Sequence, residues 1–333
     1  MTSSRAVVAV VLLAVLPQVL HSDFILTMFV FTFILGMLAV SFNLIFGFTG
    51  QLSMFHAAAF GLSAYITHIA MTSFQVSFWI GLSVAAAGMF VISAVIGTIC
   101  FRYKLKEFYF AVVTLAFAEM ARLLVLNWNS VTNGSLGIAV VERPMLWLPG
   151  RGLVAVAGTT MWYYLSLVAL VIVITVCSRI VTSWAGRCFE AIRLNDELAG
   201  TLGINVFRYK LMSFTVGNVI ASVAGAFYAF YIGYIEPDYL SIAQSLAIVS
   251  MVLLGGRESI VGPVIGAFVL TALPHAIRLN SEVRLLVYGL ILILTILLMP
   301  RGILGAFTRR RPSDAAVPPA SSPAAPAAAL EPK

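Results

Sequence analysis

A glutamate and an arginine stand three positions apart, Glu119 and Arg122, inside the apolar run "VVTLAFAEMARLLVL". On a helix that spacing puts both side chains on one face, where they pair. A lone charge in lipid costs about 2.5–3.5 kcal/mol on insertion scales, and pairing offsets part of it. The pair reads either as a polar lining of a route across a membrane or as a structural ion pair near the outer surface. The second is favoured, because water is within reach of that half of the helix. His56 has no second His, Cys or carboxylate at metal-ligand spacing, and a lone His in apolar sequence is usually a hydrogen-bonded structural residue. His68, His275, Glu236 and Asp238 likewise lack partners for a metal or an acid/base role, and the last two, in the turn "GYIEPDYLS", are expected to be solvated. Cys100, Cys177 and Cys188 fit no metal or redox spacing and read as packing residues. Neither a metal site nor a catalytic constellation is expected, so the chain does not read as an enzyme.

The elements that carry these residues follow from composition. Hydrophobic residues make up 61% of the chain and charged residues 10%, with a mean hydropathy of +1.02, far outside the range of soluble domains. Lipid offers no partner to free backbone groups, so spanning segments are helices or a closed barrel, and barrels show short alternating strands. Here the apolar runs are continuous. They fall near 6–20, 24–46, 54–73, 78–100, 108–127, 161–180, 212–233, 240–256, 260–278 and 283–300. The fold class is therefore all-α, a polytopic membrane protein of about ten transmembrane or partly re-entrant helices. Arg5 precedes a short apolar run, but no small-x-small cleavage site follows in "LPQVLHSDF", so the first segment is expected to stay as a helix.

Charge sets the orientation. With the N-terminus in the cytoplasm, an even count of spans places 15 of the 20 Lys and Arg residues inside, leaving Arg122, Arg143, Arg151, Arg278 and Arg284 in or facing the other side. Both termini are then cytoplasmic. The net charge of +7 bears on topology here, and no nucleic-acid partner is expected. An outer loop, 128–160, carries Trp128 and Trp147 and leads to Trp162, Tyr163 and Tyr164, aromatics of the kind that settle at lipid headgroups. The membrane domain spans 1–311. Residues 312–333, rich in Pro and Ala, are expected to form a disordered cytoplasmic tail, and Arg309, Arg310 and Arg311 before it are suited to touch anionic lipid.

Two polar, glycine-rich stretches interrupt the apolar pattern: "GFTGQLSMFHAAAFG" at 47–61 and "VLLGGRESIVGPVIGAF" at 252–268. They share a G-x-x-S element, Gly50 to Ser53 and Gly256 to Ser259, a faint internal repeat. Transporters often place paired broken helices close to the substrate path. On that reading Gly47, Gly50, Gln51, Ser53, His56, Gly256 and Ser259 line the path or the helix break. The alternative is two ordinary loops at the cytoplasmic face, which Arg257 favours for the second stretch.

The segment 183–210, "SWAGRCFEAIRLNDELAGTLGINVFRYK", is too polar to insert and alternates apolar with charged residues, as a short amphipathic helix around 190–202 would, with Gly203 as its stop. Glu190, Asp196 and Glu197 weaken attraction to anionic lipid and favour docking in a groove of another protein. "ELAGTLG", Glu197 to Gly203, resembles the E-A-A-x-x-x-G core of the coupling loop in ATP-binding cassette (ABC) importer permeases, with Leu198 in place of the middle alanine. Together with "NLIFGFTGQLSMFHAAAFGLSAY", "YFAVVTLAFAEMARLL" and "VLLGGRESIVGPVIGA", in that order, it makes residues 24–305 similar to the M-type permease subunit of branched-chain amino-acid ABC importers.

That resemblance implies a multi-pass subunit of the bacterial inner membrane. Its partners would be a homologous H-type permease, two cytoplasmic ATPase subunits and a periplasmic substrate-binding protein. It also implies that Glu197, Ala199 and Gly203 form the core of the ATPase-coupling helix. No G-x-x-x-x-G-K-[ST] loop occurs in the chain, so ATP and Mg belong to the partner ATPases and no cofactor is expected here. Similar permeases carry urea, short amides or other amino acids, and the sequence does not separate these substrates. A secondary transporter would need membrane carboxylates for ion coupling, and only Glu119 offers itself.

Overall fold

The computed structural model describes residues 3–19, 22–103, 105, 107–148, 152–277 and the isolated positions 289, 290, 293, 302 and 303. The tenth expected segment, 283–300, lies outside the described residues except at three of those positions, and the tail 312–333 lies outside them altogether. Twelve α-helices are described: α1 (Ser3–Val19), α2 (Asp23–Asn43), α3 (His56–Phe74), α4 (Phe78–Arg102), α5 (Glu107–Asn127), α6 (Asn129–Thr132), α7 (Thr159–Thr182), α8 (Trp184–Leu194), α9 (Asp196–Thr201), α10 (Val206–Ile232), α11 (Ile242–Gly255) and α12 (Gly262–Ile277). The first nine apolar segments fall on α1–α5, α7 and α10–α12. The seventh begins earlier than hydropathy suggests, because α10 runs back through the charged residues Arg208 and Lys210.

Five of the described helices are long and apolar enough to cross a membrane: α2 with its extension to Phe48, α4, α5 from Phe108, α7 and α10. They are not equivalent. α2 and α10 bury 61% and 67% of their most apolar window, against 22% for α5 and 28% for α7, so α2 and α10 form the core and the others the perimeter. α10 packs against α3, α4 and α2, while α2 also packs against α7, α11 and α12. Small residues allow this closeness, the usual device where lipid removes the hydrophobic drive between helices. A methyl group at Gly225 of α10 would overlap the Phe60 carbonyl of α3, and one at Gly266 of α12 would overlap the Met251 carbonyl of α11.

Helix direction sorts the connections into two ends. Arg102, Arg179, Arg187, Arg193, Arg208, Lys210 and Arg257 gather at one end with α8 and α9. The 128–160 loop gathers at the other, where short strands decorate an otherwise all-α architecture. Four short strands form two antiparallel pairs, β1 (Ile138–Ala139) with β4 (Tyr234–Ile235) and β2 (Met145–Leu148) with β3 (Gly152–Ala155). The Trp79 indole donates to the Met145 carbonyl at 2.8 Å and pins the hairpin to the start of α4. The aromatics at the start of α7 also differ from a headgroup belt. Trp162 and Tyr163 are buried, and the Tyr163 hydroxyl donates to the Leu13 carbonyl of α1 at 2.7 Å, because that face of α7 packs on protein.

Candidate functional site

At the basic end α2 does not stop cleanly. It widens into a π turn, Leu44–Phe48, and closes on Gly50, whose φ of +78° favours glycine. The Gly50 and Gln51 amides donate back to the Phe46 and Ile45 carbonyls at 3.2 and 3.1 Å, and the Thr49 hydroxyl donates to Leu44 O at 3.1 Å. Neighbouring helices satisfy the chain that follows. The Met54 amide donates to Thr114 Oγ1 of α5 at 3.1 Å, and the Ser245 hydroxyl of α11 donates to the Met54 carbonyl at 3.1 Å. No residue from 47 to 61 is exposed. Irregular backbone is tolerated among membrane helices where protein buries it in this way.

The second break meets the first. A methyl group at Gly47 would overlap both Asn43 Oδ1 and the Arg257 carbonyl, so only glycine lets the π turn reach the 256–259 loop. The Asn43 side-chain amide donates to the Ser259 carbonyl at 2.9 Å. Gly256, with φ of +106°, ends α11, and Ser259 Oγ accepts from the Gly262 amide at the start of α12 at 3.3 Å. The two breaks differ in exposure: Arg257 and Glu258 reach solvent, whereas Gln51, Ser53 and His56 are buried. Gly47, Gly256 and Ser259 thus come together, while His56 faces another set of partners.

His56 opens α3 among three helices. Its Nε2 lies 2.8 Å from Ser41 Oγ of α2 and its Nδ1 3.0 Å from Asn218 Oδ1 of α10. A neutral ring that donates from Nδ1 satisfies Asn218 Oδ1, while the single proton of the Ser41 hydroxyl lies between two acceptors, His56 Nε2 and the Leu38 carbonyl, each at 2.8 Å. Among the described residues Gln51 Oε1, Asn43 Oδ1 and Asn218 Nδ2 are buried without hydrogen-bond partners. Asn43, Ser41 and Asn218 escape a hydropathy reading because each sits in an apolar run. The signal that finds the two asparagines is the rarity of such polar residues within a membrane span.

The amphipathic segment is two helices, not the single one expected around 190–202. Asn195 is extended (φ −163°, ψ 112°), and its Oδ1 accepts from the Leu198 amide at 2.9 Å, so a capping residue interrupts the run and starts α9. Ser183 and Asn205 cap α8 and α10 in the same way. α9 ends on Gly203, φ +84°, with the Gly203 amide on Gly200 O at 3.1 Å and the Ile204 amide on Ala199 O at 3.1 Å, a Schellman closure. The apolar residues divide between two faces. Phe189, Ile192 and Ala199 turn inward and are buried, whereas Leu194, Leu198 and Leu202 form an exposed ridge beside the exposed Glu197. Asp196 pairs with Lys210, a lysine whose side chain is only 7% exposed, which ties α9 to α10. Arg193, at the end of α8, donates from Nη1 to the Gly47 carbonyl at 2.8 Å.

Away from this end, Glu119 and Arg122 are joined by Nε contacts of 3.0 Å to both carboxylate oxygens and an Nη2 contact of 2.7 Å, both side chains half-buried. His68, for which no metal or acid/base partner is expected, has Nδ1 at 3.7 Å from Glu142 of the 128–160 loop. Asp238 is exposed as expected of a solvated residue, but Glu236 is half-buried, and burial with Asp238 nearby holds its carboxyl above the usual range. No group of three His, Cys, Asp or Glu side chains is placed to hold a metal ion among the described residues.

Comparison with known proteins places this geometry in context. The family model described as "Branched-chain amino acid transport system / permease component" matches residues 24–296. LivM of Escherichia coli K12, a high-affinity branched-chain amino acid transport system permease protein, is 28% identical over 298 residues, covering 82% of this chain and 68% of LivM. LivM of Salmonella typhimurium is 27% identical over 296 residues with the same coverage. LivH of E. coli K12 is 26% identical over 284 residues, 81% of this chain and 91% of LivH. No solved structure matches the chain. Matched across both helix breaks and the segment between them, the chain belongs to the permease components of branched-chain amino acid ABC transport systems, as an M-type subunit.

Proposed function

We propose that this permease subunit, paired with an H-type homologue, forms half of a path for branched-chain amino acids that opens to each side of the membrane in turn. Two ATPase subunits supply the drive and a periplasmic binding protein delivers the substrate. ATP and its magnesium sit on the ATPases. The basic end is the cytoplasmic one, which sets both chain termini there and the strand-bearing loop outside.

The observation that carries this reading is the contact of three segments at one end: the break at 47–55, the break at 256–259, and the α8–α9 pair that touches the first. α8 and α9 present the ridge Leu194, Leu198 and Leu202, with Glu197 beside it, to an ATPase groove. Ala199 and Gly203 serve the same docking from within, the first by packing α9 on the subunit and the second by turning the chain into α10. Gln51, Ser53 and His56 form a buried plug that the opened path displaces. Glu119 and Arg122 sit on the least buried long helix, α5, and their pairing suits contact with protein or water better than lipid.

Uptake of labelled leucine into proteoliposomes holding both permeases and the ATPases, with binding protein and ATP supplied, tests the assignment. Leucine uptake that requires ATP and every partner is expected. ATP-independent uptake by this chain alone overturns the importer reading, and uptake of urea in place of leucine overturns the substrate.

A further inference from the structure

We infer that Arg193 is the positioning residue that couples the α8–α9 segment to the helix break, a role that rests on reading that segment as the ATPase-facing one. The carbonyls at the C-terminal end of a helix lack intrahelical partners and carry partial negative charge. The π turn leaves the Gly47 carbonyl in this position, and the Arg193 guanidinium donates to it at 2.8 Å. A second contact backs the first. A side chain at Gly50 would stand 3.2 Å from Arg193 Cγ and 3.6 Å from its Cα, so the break lies against the backbone of α8 as well as its guanidinium. The other face of Gly47 lies on the Arg257 carbonyl, and Asn43 holds Ser259, so whatever moves Gly47 presses on both breaks.

The location of Arg193 within the segment gives the contact its leverage. It occupies the last turn of α8, immediately before the exposed Leu194 and the extended residue Asn195. α8 is seated by Phe189 and Ile192, and α9 by Ala199 and the Asp196–Lys210 pair. A partner that pushes Leu194 and Leu198 therefore bends the segment at Asn195. That motion either carries the Gly47 carbonyl with it or breaks the Arg193 bond.

The test uses the assembled complex in proteoliposomes and compares Arg193→Met and Arg193→Lys with the parent chain, reading leucine imported per ATP hydrolysed. Loss of a charge-assisted hydrogen bond is expected to lower that ratio roughly tenfold in Arg193→Met. Arg193→Lys, which keeps a cation at the carbonyl, is expected to recover part of it. An unchanged ratio, including one in which both rates fall together, overturns the role. A second readout does not depend on turnover: maleimide labelling of Ser259→Cys with and without ATP and vanadate. Labelling that depends on nucleotide in the Arg193 chain and loses that dependence in Arg193→Met supports the link, and dependence that persists in Arg193→Met refutes it. A parent complex that hydrolyses ATP but imports no leucine overturns the wider transport reading instead.

Discussion

Asn43 and Ser259 are hydrogen-bonded at 2.9 Å, side-chain amide to backbone carbonyl, across 216 residues of sequence. The bond makes the ends of α2 and α11 one structure. Gly47 stands beside it, where an added Cβ would overlap both Asn43 Oδ1 and the Arg257 carbonyl. Asn43→Ala is expected to cost about 0.5–1.5 kcal/mol, the net worth of one hydrogen bond. Gly47→Ala, which forces a methyl against a carbonyl, is expected to cost about 1–3 kcal/mol. The double variant should cost less than the sum, since truncating Asn43 removes one of the two atoms the methyl meets. Thermal unfolding of the purified subunit in detergent measures all three, and strict additivity would show that the two positions do not touch.

The buried hydrogen bonds around His56 make a different prediction. His56→Phe strips Asn218 Oδ1 of its partner in a buried setting, while Ser41 keeps the Leu38 carbonyl, and leaving such a group unsatisfied costs about 1–3 kcal/mol. Replacing the Asn218 amide as well, in His56→Phe with Asn218→Leu, should recover part of the loss because no orphaned amide remains. A double variant less stable than His56→Phe alone would count against the network.

Asp196 and Lys210 are paired but unequal. The aspartate side chain is 45% exposed and the lysine 7%, so each mutation strands a different charge. Asp196→Asn leaves a buried ammonium without its carboxylate, whereas Lys210→Met leaves a carboxylate that water can reach. The first is expected to destabilise more, within the about 3–5 kcal/mol known for broken buried pairs and reduced by the exposure of Asp196. Equal melting temperatures for the two variants would place the lysine in water.

For the coupling segment, Glu197→Lys and Gly203→Pro are expected to leave the subunit inserted but to abolish capture of the ATPase or its stimulation. Proline fixes φ near −65° where Gly203 stands at +84°, and it removes the amide that closes α9 on Gly200. Replacing Leu194, Leu198 and Leu202 with serine should have the same effect without disturbing the fold, because all three are exposed. Co-purification of the ATPase with each variant decides the matter, and normal transport in all of them refutes the docking face.

Hydropathy alone located the described membrane helices, because a long apolar run in lipid has no other way to satisfy its backbone. It missed what depends on distance along the chain. The two glycine-rich stretches were recognisable as interruptions, but nothing local says that Gly47 touches Arg257, and Asn43 was absorbed into the run around it. The division of α8 from α9 was nearer to hand. Asn195 followed by Asp196 and Glu197 has the composition of a helix start, yet the apolar spacing on both sides suggested continuity. Arg193 is one of several charged residues in that segment, and its bond to Gly47 depends on where the π turn ends. The outer strands gave little warning, being two to four residues long.

The brevity of α11 also sets a condition on the membrane around it. Fourteen helical residues rise about 21 Å, well short of the roughly 30 Å of a typical hydrocarbon core, yet the loop beyond them ends in the exposed Arg257 and Glu258. Those charges must find water, and the span is completed either by protein at its other end, where Pro237, Tyr239 and Leu240 are buried ahead of Ile242, or by a bilayer that thins beside the second break. In the second case acyl-chain length becomes a variable of transport in its own right. Thicker bilayers should slow uptake and thinner ones should not, and a rate that stays flat from short- to long-chain phosphatidylcholine would remove any part for lipid thickness in how this subunit works.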